Sequence, residues 1–423
     1  MDHYSISFIC MGIALLCLVY TWRQKRDFFQ PVVVYIFAQT LTMGISYLKL
    51  MRAMPDLGMI TWMAWIGGLL SFIAGTFAFY TAFYRDHKPV YEFEKKDILV
   101  NYNWNVHFVI SLVLFGFFLA GAYIIYTKIG FSFLRFFAEE KVRETAQYGM
   151  FAAIAFTSSP LVVLYFAIAS FKSINPHVWI RRMSLFFAIS VPLIALLIYP
   201  GRMPLFICAA VVVVLYNNIK KRIPSSFILL AMVLAIAFFV GVSVVRAQYG
   251  ISGIKGMIAK QVATLPYKYI ANNYWNLDYG INTDPDEIRH GFTYGLDLFN
   301  GPFGLSRFPM AIRQMNRWDN ELNYSIQKFH GLNTINYLWE AYKDFGLAGC
   351  FIVPFVAAFL MAYMYEMMKR RKTPFWWMLY AVSIFYVGWS FFITGYKLPH
   401  IWMWVYIMIL SSWCCSKKVK LLK

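Results

Sequence analysis

The sequence predicts an all-α polytopic membrane protein with about eleven transmembrane helices and one long external loop. Three observations carry this reading. The chain is 60% apolar and only 14% charged, a balance that suits a helical bundle in lipid and not a soluble domain. Its positive residues collect in short runs between apolar segments, such as Lys220-Lys221-Arg222 and Lys369-Arg370-Arg371-Lys372. One stretch, 246–333, breaks the apolar pattern: among its 88 residues nine are Lys or Arg and seven are Asp or Glu, with aromatic residues interleaved. The formal net charge of +19 would otherwise point to nucleic acid. Because the charge sits in membrane loops and no separate basic domain exists, nucleic-acid binding is excluded as the expected function.

Taken in order, the apolar segments are 5–22, 31–50, 59–84, 105–127, 149–171, 183–200, 203–218, 225–245, 345–367, 375–394 and 398–414. Each approaches the ~20 residues that cross a bilayer. The first is read as a retained span and not a cleavable signal, because Arg23, Lys25 and Arg26 follow it. Starting the chain outside puts 23–30, 85–104, 172–182, 219–224, 368–374 and the 415–423 tail in the cytoplasm, and these pieces hold 21 of the 39 Lys and Arg residues. The expected orientation is therefore amino terminus outside and carboxyl terminus cytoplasmic. The segment 203–218 is the shortest, and its loss would invert everything after it.

Three regions follow: a membrane bundle over 1–245, the external loop 246–333, and a re-entry helix with the last spans over 334–423. Within them, Leu134–Gln147 and Ile254–Ile270, the latter ending near Pro266, have the composition of amphipathic surface helices. All six cysteines lie in or at the end of apolar spans, which leaves neither a disulfide framework nor metal-ligand spacing.

Charge near hydrocarbon is costly, so a basic, aromatic loop over a bundle points to an anionic, lipid-borne substrate. Arg202 stands alone in the turn Tyr199-Pro200-Gly201-Arg202 between two spans. Its guanidinium can bind two phosphate oxygens at once; the simpler reading is an arginine snorkelling to headgroups. Arg246 follows the eighth span at the same external depth, and the pair together can neutralise a diphosphate without a metal ion. Arg289 sits beside His290 in Asp284-Pro285-Asp286-Glu287-Ile288-Arg289-His290-Gly291, where acids, a base and an imidazole coincide in what is also a good solvated turn. Arg313 and Arg317, with Arg307, line a stretch rich in aromatic residues and are further candidates for the diphosphate.

His330 precedes the return to the membrane at Phe329-His330-Gly331-Leu332-Asn333, and its depth makes it a better base candidate than His290. Glu340 and Asp344 lie one turn apart on one face of a helix-like run, with Lys343 off that face. They either serve the substrate, Asp344 as a catalytic group, or pair with loop arginines and hold the loop down. Tyr294, in Gly291-Phe292-Thr293-Tyr294-Gly295, and Trp275 are candidate sugar-stacking aromatics; Asn333 and Glu340 are candidate sugar hydrogen-bonders.

These residues, in this order, resemble a known family. An Arg in a turn after a middle span, an Arg opening a long external loop, and the pattern Asn333…Leu338…Asp344-Phe345-Gly346-Leu347-Ala348-Gly349 are similar to the bacterial oligosaccharide repeat-unit polymerases, the O-antigen or Wzy-type polymerases related to the O-antigen ligases. The Tyr294-Gly295 stretch also fits, and the resemblance covers roughly 183–367. The ligases carry a His immediately before the Asn of that pattern. Here the position is Leu332, so the chain is more similar to a polymerase and the base stays unassigned.

The resemblance implies a C-type glycosyltransferase fold in the bacterial inner membrane and an inverting transfer without metal or cofactor. A growing glycan on undecaprenyl diphosphate would pass to the sugar of another lipid-linked repeat unit, building O-antigen, capsule or exopolysaccharide. Membrane lipid, a flippase and a chain-length regulator are the implied partners. An O-antigen ligase-like transferase is the nearest alternative. A transporter of lipid-linked sugars is the alternative from another class, although paired halves and broken helices at the midplane are not evident.

Overall fold

In the computed structural model, the residues described are 2–23, 27–50, 56–83, 102–129, 150–198, 203–224, 226–228, 230–231, 265–282, 295, 301–302 and 334–416. Among them the ordered elements are helices, and the one β-type contact is an isolated antiparallel bridge between Tyr102 and Ser416. In chain order they are α1 (His3–Arg23), α2 (Pro31–Ser46), α3 (Met59–Phe83), α4 (Trp104–Ile129), α5 (Met150–Thr157), α6 (Ser159–Ser170), α7 (Val178–Ile198), α8 (Met203–Ile219), α9 (Leu265–Asn282), α10 (Leu338–Arg371), α11 (Pro374–Gly388) and α12 (Pro399–Cys415), with a 3-10 turn at Gly395–Lys397. Five of them, α1, α3, α4, α7 and α10, are long and apolar enough to cross a membrane; α2, α5–α6, α8 and α11 include shorter apolar helices. The chain is an all-α membrane protein. Lipid cannot satisfy backbone polar groups, so spanning segments must do so internally, as a helix does.

The helices depart from the sequence reading at their ends, for local reasons. The segment 149–171 is two helices, α5 and α6, interrupted at Ser158. Pro160 lacks the N–H that would continue the ladder to Phe156, so the interruption falls there. Helix α2 stops at Ser46, four residues before the end of its apolar run, and Lys49 adopts φ 46° just beyond it. Helix α7 begins at Val178 and thus takes in Arg181, whose guanidinium donates to the Asn175 carbonyl at 2.9 Å. Of the segment 225–245, only 226–228 and 230–231 fall among the described residues; Leu134–Gln147 lies outside them.

By packing, the chain divides into two compact units. The first comprises Met1–Pro89, Thr264–Glu366 and Tyr386–Trp402, and the second Val90–Ala263, Met367–Phe385 and Met403–Lys423. In the first, α1 packs on α2, α2 on α3, and α9 on both α2 and α3. The Tyr35 ring stacks on Phe72 at 3.9 Å, and its hydroxyl lies 2.5 Å from that of Tyr337. Glycines set the approach of α3 to α10: a Cβ at Gly75 would overlap the Phe355 carbonyl, and one at Gly67 would overlap the Phe351 ring. Small residues substitute for side-chain bulk where helices in lipid approach backbone to backbone. Gly75→Val is therefore expected to force a backbone shift and cost about 1–3 kcal/mol, read as a lower apparent melting temperature in detergent. An unchanged melting temperature would show that the two helices separate freely.

In the second unit α6 is the central element, buried from Ser159 to Ala169 and packed against α4, α7 and α8. His107 of α4 is fully buried there. Its Nε2 lies 3.0 Å from the Tyr165 carbonyl and its Nδ1 2.8 Å from the Tyr102 hydroxyl. A carbonyl only accepts, so Nε2 carries the proton and Nδ1 accepts from Tyr102. The histidine is thereby a satisfied structural group of the second unit.

Candidate functional site

Helix α9 falls in the stretch that the sequence assigns to the external loop, yet it is seated against the bundle by polar contacts at three levels. At its start the Tyr267 hydroxyl donates to the Ser46 carbonyl at 2.9 Å, satisfying one of the carbonyls that the end of α2 leaves without a helical partner. Near its far end Asp278 accepts from the Gly58 amide at 2.7 Å and from the Thr61 hydroxyl at 2.5 Å. That places a carboxylate at the N-terminus of α3, where the helix dipole favours negative charge. Midway, the Tyr274 hydroxyl lies 3.1 Å from the Gln39 carbonyl and 2.7 Å from the Thr42 hydroxyl. Burial raises the Tyr274 phenol well above its ordinary range and pushes Tyr267 up to about 12, so both remain neutral hydrogen-bonding groups at physiological pH.

Gln39 extends the network toward α10. Its amide donates to Ser390 Oγ at 2.9 Å, and its Oε1 accepts from Asn336 Nδ2 at 3.1 Å. Asn336 Oδ1 in turn accepts the Leu338 amide at 3.1 Å, an Asx turn that launches α10. Asn276 ties α9 to the same segment by donating to the Thr334 carbonyl at 2.6 Å.

The first turns of α10 then bring charge into the interior. Glu340, Lys343 and Asp344 are 7%, 1% and 0% exposed. Lys343 Nζ lies 2.6 Å from Glu340 Oε2, and Lys397, on the 3-10 turn, lies 3.1 Å from the same oxygen. Asp344 Oδ1 accepts the backbone amide of Gly295 at 3.2 Å. Directly after it the helix breaks: Phe345 has φ −139° and ψ 19°, and Gly346 has φ 60° and ψ −148°. Only glycine adopts that second conformation without strain. Gly349 has a different reason to be glycine, since a Cβ there would overlap the Ala341 carbonyl. Gly295 also has positive φ, 88°, and the Phe345 ring sits 3.0 Å from where its Cβ would be.

Two sequence expectations are corrected here. Lys343 was assigned off the Glu340 face, but i and i+3 are neighbours on a helix and its long stem bends back to the carboxylate. The segment Ile254–Ile270 was expected to end near Pro266. Instead Pro266 lies in the first turn of α9, where its missing N–H costs nothing. Of the site candidates, Asp344, Glu340 and Trp275 are among the described residues. Glu340 comes together with Lys343 and Lys397, its described ion-pair partners, and Asp344 meets the Gly295 amide. Trp275 is 9% exposed and sits in the apolar cluster with Trp65 and Leu277. Arg202, Arg246, Arg289, Arg313, Arg317, His290, His330, Tyr294 and Asn333 lie outside the described residues. Lys343, Lys397 and the Gln39–Tyr274 network were missed in the sequence. For Lys343 the i, i+3 spacing to Glu340 was a usable signal; for Gln39 nothing in the sequence marked it.

No protein-family model, curated protein or solved structure matches the chain.

Proposed function

We propose that the chain is a polymerase of lipid-linked oligosaccharide repeat units, a glycosyltransferase of the bacterial inner membrane. The observation that carries this reading is the meeting of two short motifs that lie 49 residues apart in sequence: the Gly295 amide donates to Asp344, and the Phe345 ring covers Gly295. These are the two pieces, Tyr294-Gly295 and Asp344-Phe345-Gly346, on which the resemblance to repeat-unit polymerases rests together with the arginines.

In this reading the chain crosses the membrane eleven times in a C-type glycosyltransferase architecture, with its amino terminus outside. In support, segments assigned to the outer face meet within the first unit. The Ser46 end of α2 and the Gly58 start of α3 bind α9, Lys397 pairs with Glu340, and Gly301 packs against Tyr396 and Trp402.

The chemistry proposed is displacement of undecaprenyl diphosphate from the anomeric carbon of the growing glycan by a sugar hydroxyl of a second lipid-linked unit. A carboxylate or imidazole, Asp344 or His330, takes the hydroxyl proton. Arg202 and Arg246 offset the charge that grows on the departing diphosphate. Purified protein in lipid discs is expected to extend undecaprenyl-diphosphate-linked repeat units in the presence of EDTA. Arg202→Lys is expected to lose most of that activity, about 10–100-fold, because a point charge cannot reproduce two-pronged binding. Wild-type protein that binds the lipid-linked units but never joins them would overturn the proposal, and near-normal polymer from Arg202→Lys would remove Arg202 from the mechanism.

A further inference from the structure

Charge in the second unit is one-sided. Between Glu144 and Asp278 the sequence holds no Asp or Glu, and among the described residues of the second unit there is none. The described residues of the first unit, by contrast, include Asp27, Asp56, Asp278, Glu340, Asp344 and Glu366. The charge rule for membrane orientation accounts for where cations gather, but Asp and Glu contribute little to it. The missing carboxylates need another cause.

The cations gather at one end of the unit. Helix α6 packs against α7 and α8, and α7 against α8. Residues 171–177 join α6 to α7 and 199–202 join α7 to α8. Connections that short make neighbouring helices antiparallel, so the end of α6, the start of α7 and the end of α8 lie together. That end carries Lys172, Arg181, Arg182, Lys220, Lys221 and Arg222, all exposed except the half-buried Arg181. Its backbone is fixed from within. Arg181 donates to the Asn175 and Pro176 carbonyls at 2.9 and 3.3 Å, and the Asn175 side chain donates to the Ala169 carbonyl at 2.7 Å.

The surface that continues from these cations is apolar. Trp179, Arg182, Phe186, Ile189 and Leu193 follow one another at steps of three and four residues, which places them on one face of α7. The four apolar residues of that stripe are 64%, 61%, 55% and 54% exposed. An exposed apolar stripe on a membrane helix lies against acyl chains, and a tryptophan near its end sits at headgroup level. A soluble anion would meet the cations alone, whereas a phospholipid meets the cations and the stripe together.

We propose that this end of α6, α7 and α8 binds an anionic phospholipid, with the phosphate among the cations and the acyl chains along the α7 stripe. The site depends neither on the polymerase reading nor on which leaflet it faces.

The test titrates the full chain in mild detergent with phosphatidylglycerol, or with phosphatidylcholine of the same acyl chains, and counts bound lipid by native mass spectrometry. Phosphatidylglycerol is expected to bind at least about tenfold more tightly, and added salt should narrow the difference. Lys220→Gln with Lys221→Gln should weaken its binding by about 10–30-fold and leave phosphatidylcholine unaffected. The arginines that remain keep the orientation signal. Should that double variant not fold, Arg182→Gln is read in its place, with an expected loss of about fivefold.

Equal binding of the two lipids by the wild type overturns the proposal and requires no variant. Undiminished phosphatidylglycerol binding by the folded variant also overturns it. So does a loss caused by Lys369→Gln with Lys372→Gln instead, which would put the lipid at the end of α10. Displacement of phosphatidylglycerol by inorganic phosphate would make the ligand a soluble anion and contradict the lipid assignment.

Discussion

Asp344→Asn is expected to leave a folded protein that has lost polymerisation by about 10²–10⁴-fold, the usual contribution of a positioned general base. Asparagine keeps the shape and an oxygen to accept the Gly295 amide, so the contact that unites the two motif segments survives. What it loses is the negative charge and the ability to take a proton. Asp344→Ala loses the acceptor as well. It is expected to lower stability by a further ~1–3 kcal/mol, the cost of leaving a buried donor unmatched. Comparing melting temperatures and polymer yields of the two variants separates chemistry from packing. If Asp344→Asn polymerises normally, Asp344 is a structural acceptor only, and His330→Ala becomes the decisive variant for the base.

The second large effect concerns stability. Lys343→Met removes the cation 2.6 Å from Glu340 and leaves that carboxylate 7% exposed with Lys397 at 3.1 Å. Removing that cation costs about 1.5–3 kcal/mol, the worth of a hydrogen bond to a charged group, because among the described residues Lys397 alone then compensates the buried carboxylate. Replacing both, Glu340→Gln with Lys343→Met, removes the charge that suffered. The double variant is expected to recover most of the lost melting temperature, giving a strong coupling in the mutant cycle. Additive losses would show that the two side chains act independently, and the ion cluster would then have no role in seating the start of α10.

The helices of the bundle were legible because their signal is an unbroken apolar run, which composition alone carries. Their ends were less so. Phe156 and Pro160 show why: the interruption between α5 and α6 follows from a missing N–H, beside the small polar residues Thr157, Ser158 and Ser159, inside a segment whose overall composition is apolar. Helix α9 was harder still. Its Asn272, Asn273, Tyr274 and Asn276 fall in the stretch assigned to the external loop, and only docking onto α2 and α3 reveals them as interior groups.

At the candidate site, the Asp344-Phe345-Gly346 motif stood out in the sequence, and the structure buries Asp344 there and breaks the helix just after it. The partner of Asp344 did not stand out, because the Gly295 amide is a backbone group whose position depends on a fold 49 residues removed. Lys343 was misplaced by treating a helix face as i, i+4 alone. Trp275 looked like a sugar platform from composition, but an aromatic residue in a polar stretch is equally a core residue once its helix docks.

The central claim, that this chain joins repeat units, is tested most directly by the surface polysaccharide of a deletion strain on a gel that resolves single units. The account predicts glycans of one repeat unit and no ladder, with the ladder restored by the wild-type chain but not by Arg202→Ala or Arg246→Ala. A full-length ladder in the deletion strain would contradict it. So would polymer that persists on its lipid carrier without reaching its anchor, or loss of all exported glycan with lipid-linked units retained inside the cell.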